Sequence, residues 1–192
     1  MVMRTRTGMA LAALGVLLGM SSLPVLAQPP VAVTVDATVQ RFAENTVTVA
    51  TGESFSVTDQ TRVFVVVPAT TADLVPGVFI SVVAQRRADG ALEASVVYTN
   101  PEALRGLGEG QAPYLPLDEV NLMTNATIDD GVLDAISGGE LSISFLGQSS
   151  QVHITGRTRI RSRTFGSLAD IFPGVRIRAL ARDGVAANVF VE

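Results

Sequence analysis

Asp73-Leu74-Val75-Pro76-Gly77-Val78 returns as Asp170-Ile171-Phe172-Pro173-Gly174-Val175, 97 residues further along the chain. At the same spacing of 97, Thr61-Arg62-Val63 is matched by Thr158-Arg159-Ile160. Upstream, Asp36-Ala37-Thr38-Val39 is echoed by Asn125-Ala126-Thr127-Ile128, and downstream Asp89-Gly90 by Asp183-Gly184. Similarity that recurs in this order marks two copies of one structural unit. It fixes architecture before residue propensities are considered, and it leaves the activity open.

Around these phrases apolar and polar residues alternate, which is the period of a half-buried strand. In the first copy Val47 and Val49 flank Thr48, Phe55 and Val57 flank Ser56, and Val78, Ile80 and Val82 share a face. In the second, Leu141 and Ile143 flank Ser142, Val152 and Ile154 flank His153, and Val175, Ile177 and Ala179 lie opposite Arg176 and Arg178. The last strands are matched as Leu92, Ala94 and Val96 with Val185, Ala187 and Val189. Ser167 caps a turn through Leu168-Ala169-Asp170-Ile171 that Pro173-Gly174 stops, and Thr71-Ala72-Asp73-Leu74 does the same in the first copy. Asp-Gly then closes a hairpin. The order predicts an all-β chain of two tandem five-stranded OB-like barrels, each with a short helical turn between its third and fourth strands. Their bounds are residues 28–99 and 121–192, joined by a Gly/Pro-rich linker over residues 100–120.

The run from Ala37-Thr38-Val39 or Ala126-Thr127-Ile128, through the Thr-Arg pairs, Leu168-Ala169-Asp170-Ile171, Pro-Gly and Asp-Gly, resembles exported bacterial OB-like repeat domains that carry a domain-of-unknown-function label. Gly108-Glu109-Gly110, Pro113-Tyr114 and Met123-Thr124-Asn125-Ala126-Thr127 resemble a recurrent opening in periplasmic members. The resemblance implies a fold and an exported location, and it transfers no catalytic residue.

Residues 1–27 have the anatomy of a cleavable signal peptide: Arg4 and Arg6, an apolar run from Met9 to Leu18, and Val25-Leu26-Ala27 before the predicted cut after Ala27. Gly8 to Leu26 spans 19 residues, so a retained anchor is the alternative, since about 20 residues cross a bilayer. Pro24 and Ser21-Ser22 favour removal, giving a periplasmic or secreted chain with no stable membrane insertion. The chain has no cysteine, so apolar burial must stabilise it without disulfides. All 14 basic residues are Arg, two of them in the leader, and the remaining 12 face 18 acidic residues for a net charge of −6. That balance argues against nucleic acid as a partner.

No nucleophile-and-base constellation is legible, and no cofactor or metal motif: there is one His, no Cys and, beyond the leader, one Met. His153 sits in an alternating strand and is read as an outward side chain. Asp129, Asp130 and Asp134 lack the loop spacing of a calcium motif. Arginine spacing is the one chemical pattern. Arg157, Arg159, Arg161 and Arg163 alternate along one extended segment, and Arg176 and Arg178 share a face of the next strand, so an anion-recognising face is one reading. The first copy carries Phe64, Val66, Phe79 and Ser81 at the positions of Arg161, Arg163, Arg176 and Arg178. Its run Val63-Phe64-Val65-Val66-Val67 lacks alternation, which predicts burial on both sides and an interface through Phe64 and Val66, with Tyr114 as a clamp from the linker. The leading expectation is a non-enzymatic scaffold or binding protein with a partner in the cell envelope. The alternative is binding of a small anion or polyanion by the arginines.

Overall fold

The computed structural model describes residues 32–114, 121–134 and 138–192. The predicted leader with its cut after Ala27, and Leu115 and Leu117 of the linker, lie outside them. The fold is all-β. The first copy forms β1 (Ala32–Ala43), β2 (Thr46–Val49), β3 (Ser54–Ser56), β4 (Arg62–Pro68), β5 (Phe79–Arg86) and β6 (Leu92–Thr99). β7 (Gly110–Pro113) follows, and the second copy forms β8 (Asn121–Asp134), β9 (Gly138–Phe145), β10 (Gln148–Thr155), β11 (Arg159–Phe165), β12 (Arg176–Arg182) and β13 (Val185–Val191). Short 3-10 turns at Thr71–Asp73 and Leu168–Asp170 occupy the places where the sequence predicts helical turns. Among the described residues no helix is long and apolar enough to cross a membrane.

Each copy contributes six strands, not five, because turns at residues 59–60 and 156–157 separate β3 from β4 and β10 from β11. The alternation is realised: Val47, Val49, Phe55 and Val57 are buried, as are Leu141, Ile143, Val152 and Ile154. The last strand of the second copy departs from the expected match, since Ala186 is buried while Val185 and Ala187 face out. The β12–β13 hairpin turns through residues 183–184 where β5–β6 uses residues 87–91, and bulges in both hairpins reset the register. Tyr98 therefore corresponds to Phe190: they pair with Ser81 and Arg178, which lie 97 residues apart. The linker is also more ordered than its composition suggests, with β7 pairing along β8 as an edge strand that ends at Pro113.

The larger correction concerns the copies themselves. β1 pairs with β2, β2 with β3, β3 with β13, β13 with β12, and β12 back with β1, so these pairings close on themselves. The second circuit runs β8, β9, β10, β6, β5 and back to β8. Each circuit takes three strands from one copy and two from the other, so residues 28–99 and 121–192 are not self-contained units. The cause lies in β4 and β11. Each leaves its own circuit extended, pairs with the other antiparallel and delivers the following hairpin to the opposite circuit. The non-alternating run of β4 is suited to this crossing, since Val63 joins the core of the first circuit while Phe64 and Val66 are buried toward the junction.

The repeated phrases are the points where the copies hold one another. Thr61 Oγ1 donates to the Ala186 carbonyl at 2.7 Å, and Thr158 Oγ1 donates to the Ala94 carbonyl at 2.8 Å. Gly174 N donates to Val39 O and Val39 N to Val175 O, both at 2.8 Å. Gly77, Val78 and Ile128 repeat that exchange. Gly77 and Gly174 have φ of 86° and 94°, a left-handed backbone that favours glycine.

Two outcomes test the exchange. A protease site introduced between residues 115 and 120 should yield fragments that co-elute on size exclusion and part only in denaturant, whereas self-contained copies would elute separately. Thr61→Val and Thr158→Val should each lower stability by about 1–2 kcal/mol in urea unfolding, because a carbonyl of the opposite copy loses its donor.

Candidate functional site

Where β4 and β11 meet, a cavity of about 390 Å³ opens between the two circuits. Val66 and Arg163 are direct cross-strand partners and also 97 residues apart, so they occupy equivalent positions on the local two-fold relating the copies. Two identical copies would set this residue against itself. Here one side is apolar and the other carries a guanidinium.

Arg163 is half-buried, and its Nε has neither solvent exposure nor a hydrogen-bond partner. Nη1 donates to Asn100 Oδ1 at 3.2 Å and to Ser81 Oγ at 3.3 Å, both neutral acceptors. The guanidinium carbon lies 3.8 Å from the Tyr98 ring centroid and 4.9 Å from that of Phe190, the equivalent aromatic of the other copy. Among the described residues no carboxylate lies within ion-pairing distance of it. Burial lowers the Arg163 pKa to about 10, so at neutral pH it still holds its proton, at the cost of a desolvated charge.

Arg178 reaches the same cavity in a different electrostatic state. Its Nη1 donates to Tyr98 Oη at 3.3 Å, and its Nη2 lies 3.4 Å from Asp36 Oδ2 and 3.6 Å from Glu192 Oε1. Burial opposes this charge, but Tyr98, Asp36 and Glu192 together raise its pKa. Arg176 closes the group on Asp36 Oδ1 at 2.8 Å. Most of the remaining wall is apolar, with Phe64, Val66, Phe79, Met123 and Phe190 facing the space, and Thr34, Arg62, Asn125 and Asn188 add polar side chains to it. Leu107 and Leu180, 52% and 37% exposed, form its rim. Burial also raises the pKa of Tyr114, which packs beside Met123 and Phe190.

No family model, curated protein or solved structure matches this chain. The site is therefore read from its own chemistry.

The six arginines singled out by spacing do not form one face, because β11 and β12 are not neighbours in the sheet. Arg163 and Arg178 converge on the junction cavity, and Arg176 stands behind Arg178. Arg157 and Arg159 border a separate polar hollow with Arg86 and Arg87, where Asp89 and Glu93 partly neutralise Arg87. Arg161 is half-buried and borders neither. Phe64 and Val66 face the opposite copy across the junction, Phe64 stacking on Phe190 with ring centroids 5.3 Å apart, and Tyr114 lines the same cavity. His153 is half-buried with Nε2 3.4 Å from Glu140 Oε1. Asp129 accepts from Ser144 Oγ and Asp130 from Gly131 N, while the Asp134 side chain lies outside the described residues. Tyr98, Asn100, Asp36 and Glu192 carry no signal as a group in the sequence, since only the exchange brings them to one place.

Replacing a buried, unpaired charge with an apolar side chain of similar length should stabilise the empty protein. Arg163→Met is expected to raise unfolding free energy at pH 7 by about 1–4 kcal/mol. Chemical denaturation checks the sign: a loss of stability would show that Arg163 is a structural post.

Proposed function

We propose that the chain is an exported, non-enzymatic binding protein built from two OB-like barrels with exchanged halves, and that it holds a small amphipathic anion in the junction cavity. The circuit order, with the third and fifth strands parallel, supports the barrel reading. The leader of residues 1–27 and the resemblance to exported repeat domains support export.

One observation carries the binding reading. Arg163 is a desolvated cation with only neutral oxygens and aromatic faces around it, at the wall of a mostly apolar cavity. Buried charges are normally paired, and here Asp36 and Glu192 are committed to Arg176 and Arg178. A bound anion supplies the missing partner. Concave apolar walls with a few convergent polar groups are the usual form of a small-molecule site. Ser81, Asn100 and Tyr98 orient the guanidinium and offer no activated nucleophile, so holding, and not turnover, is the activity proposed. Phe64 and Val66 are buried within the molecule and Tyr114 is half-buried at the same cavity, which favours the cavity reading over an interface formed by these three residues.

Anilinonaphthalene sulfonate, an anionic aromatic dye, tests this directly. Its fluorescence should rise on saturable binding to the wild-type chain and weaken at high salt. Arg163→Gln should lower affinity at least tenfold, since a charge-assisted contact of about 1.5–3 kcal/mol is lost. Equal binding by both forms, or none by either, overturns the reading.

A further inference from the structure

Resting on that reading, we infer that the occupant is an amphipathic monocarboxylate: one carboxylate on an alkyl or aryl body, with roughly ten to fifteen non-hydrogen atoms in total.

Charge sets the number of anionic groups. Asp36 and Glu192 face Arg176 and Arg178, two charges of each sign in mutual contact, which leaves Arg163 as the single uncompensated charge enclosed at the cavity. Arg62 also borders the space, but it is exposed, where water screens it. One enclosed positive charge matches a monoanion. A dianionic phosphate would bring in a second negative charge with no buried partner.

Geometry admits the carboxylate. A guanidinium is a planar fork that pairs with carboxylate and phosphate alike, so the single uncompensated charge, and not shape, favours a carboxylate over a dianionic phosphate. Stacking on Tyr98 at 3.8 Å, with Asn100 and Ser81 holding Nη1, fixes that plane in advance.

Size and lining set the body. A volume of about 390 Å³ accommodates on the order of thirteen water-sized groups at about 30 Å³ each. Phe64, Val66, Phe79, Met123 and Phe190 give the cavity a mostly apolar lining that favours an apolar body, while Thr34, Asn125 and Asn188 add only neutral polar groups to it. Each buried methylene should therefore tighten binding about fourfold. A dicarboxylate of the same length should bind more weakly, because Arg178 is already paired with Asp36 and Glu192 and its second charge would find no second uncompensated cation enclosed there.

Isothermal titration of the purified chain with hexanoate, octanoate and decanoate, alongside decanol, decyl phosphate and decanedioate, tests the assignment. Affinity should climb about fourfold per methylene to decanoate. Decanoate should exceed decanol and decanedioate at least thirtyfold and exceed decyl phosphate. Arg163→Gln should erase the preference of decanoate over decanol, and Arg159→Gln, outside the cavity, should leave it intact. The ligand series on the wild-type chain decides the matter even where a variant fails to fold. Tighter binding of decyl phosphate with the same dependence on Arg163 overturns the monocarboxylate while leaving an anion-binding cavity in place. Absence of binding by every amphiphile overturns both.

Discussion

The antiparallel pairing of β4 with β11 is the constraint on which the rest of the molecule depends. Phe64 to Pro68 run against Arg161 to Phe165, and a strand held extended cannot fold back on the three strands before it. The chain must then continue into the opposite circuit and complete its sheet there. Closing edges in this way leaves few unpaired backbone groups, at the expense of long loops in sequence: Asp36 meets Arg178 across 142 positions. Contacts of that range are slow to form. With no disulfide present, the two apolar cores and the hydrogen bonds of the Thr-Arg and Pro-Gly-Val phrases hold the copies together.

Symmetry makes the junction chemically unusual. In a pair of identical copies, the residue on the two-fold axis faces its own image, and two arginines there would repel in a desolvated space. Fusion into one chain lifts that restriction. Val66 and Arg163 share the axis, Ser81 and Arg178 flank it, and Tyr98 and Phe190 both lie against the single guanidinium. A symmetric scaffold thus borders an asymmetric cavity, with Val66 on one side of the axis and the Arg163 guanidinium on the other.

Much of the local fold was legible because alternation, turn residues and the Asp-Gly hairpins act over a few positions. Val47, Phe55, Leu141 and Val152 point inward as their spacing implies. The exchange was not legible, since the same strands in the same order satisfy a closed circuit whether the fourth and fifth strands come from their own copy or the other. The apolar run of β4 was the available signal. The expected burial on both sides holds for Val63, Phe64 and Val66 but not at the end of the run, where Val65 is half-buried and Val67 is 44% exposed, and the strand's partner was not apparent in the residues. Arginine spacing pointed to the right strand and to too many residues, because periodicity reports a face and says nothing about what covers it. Arg157 falls in the turn before β11, and Arg163 differs from Arg159 in what is placed over it: Tyr98 of the opposite copy and Phe190 of its own.

That covering explains how a destabilising residue can persist at the centre of the molecule. Burying a charge without a counter-charge costs stability. The deficit is local to the junction, while Tyr98, Ser81 and Asn100 hold the side chain in a fixed orientation so that little freedom remains to be lost on binding. On the proposed reading, a partner anion offsets that desolvation cost and contributes a charge-assisted contact, so both effects would appear in the free energy of binding. Because the cavity lies between the two circuits, that energy also counts toward keeping the exchanged halves together, and ligand occupancy and assembly of the halves become linked equilibria. A symmetric pair of arginines or of valines on the axis would provide only one side of this linkage: charge without tolerance, or packing without recognition.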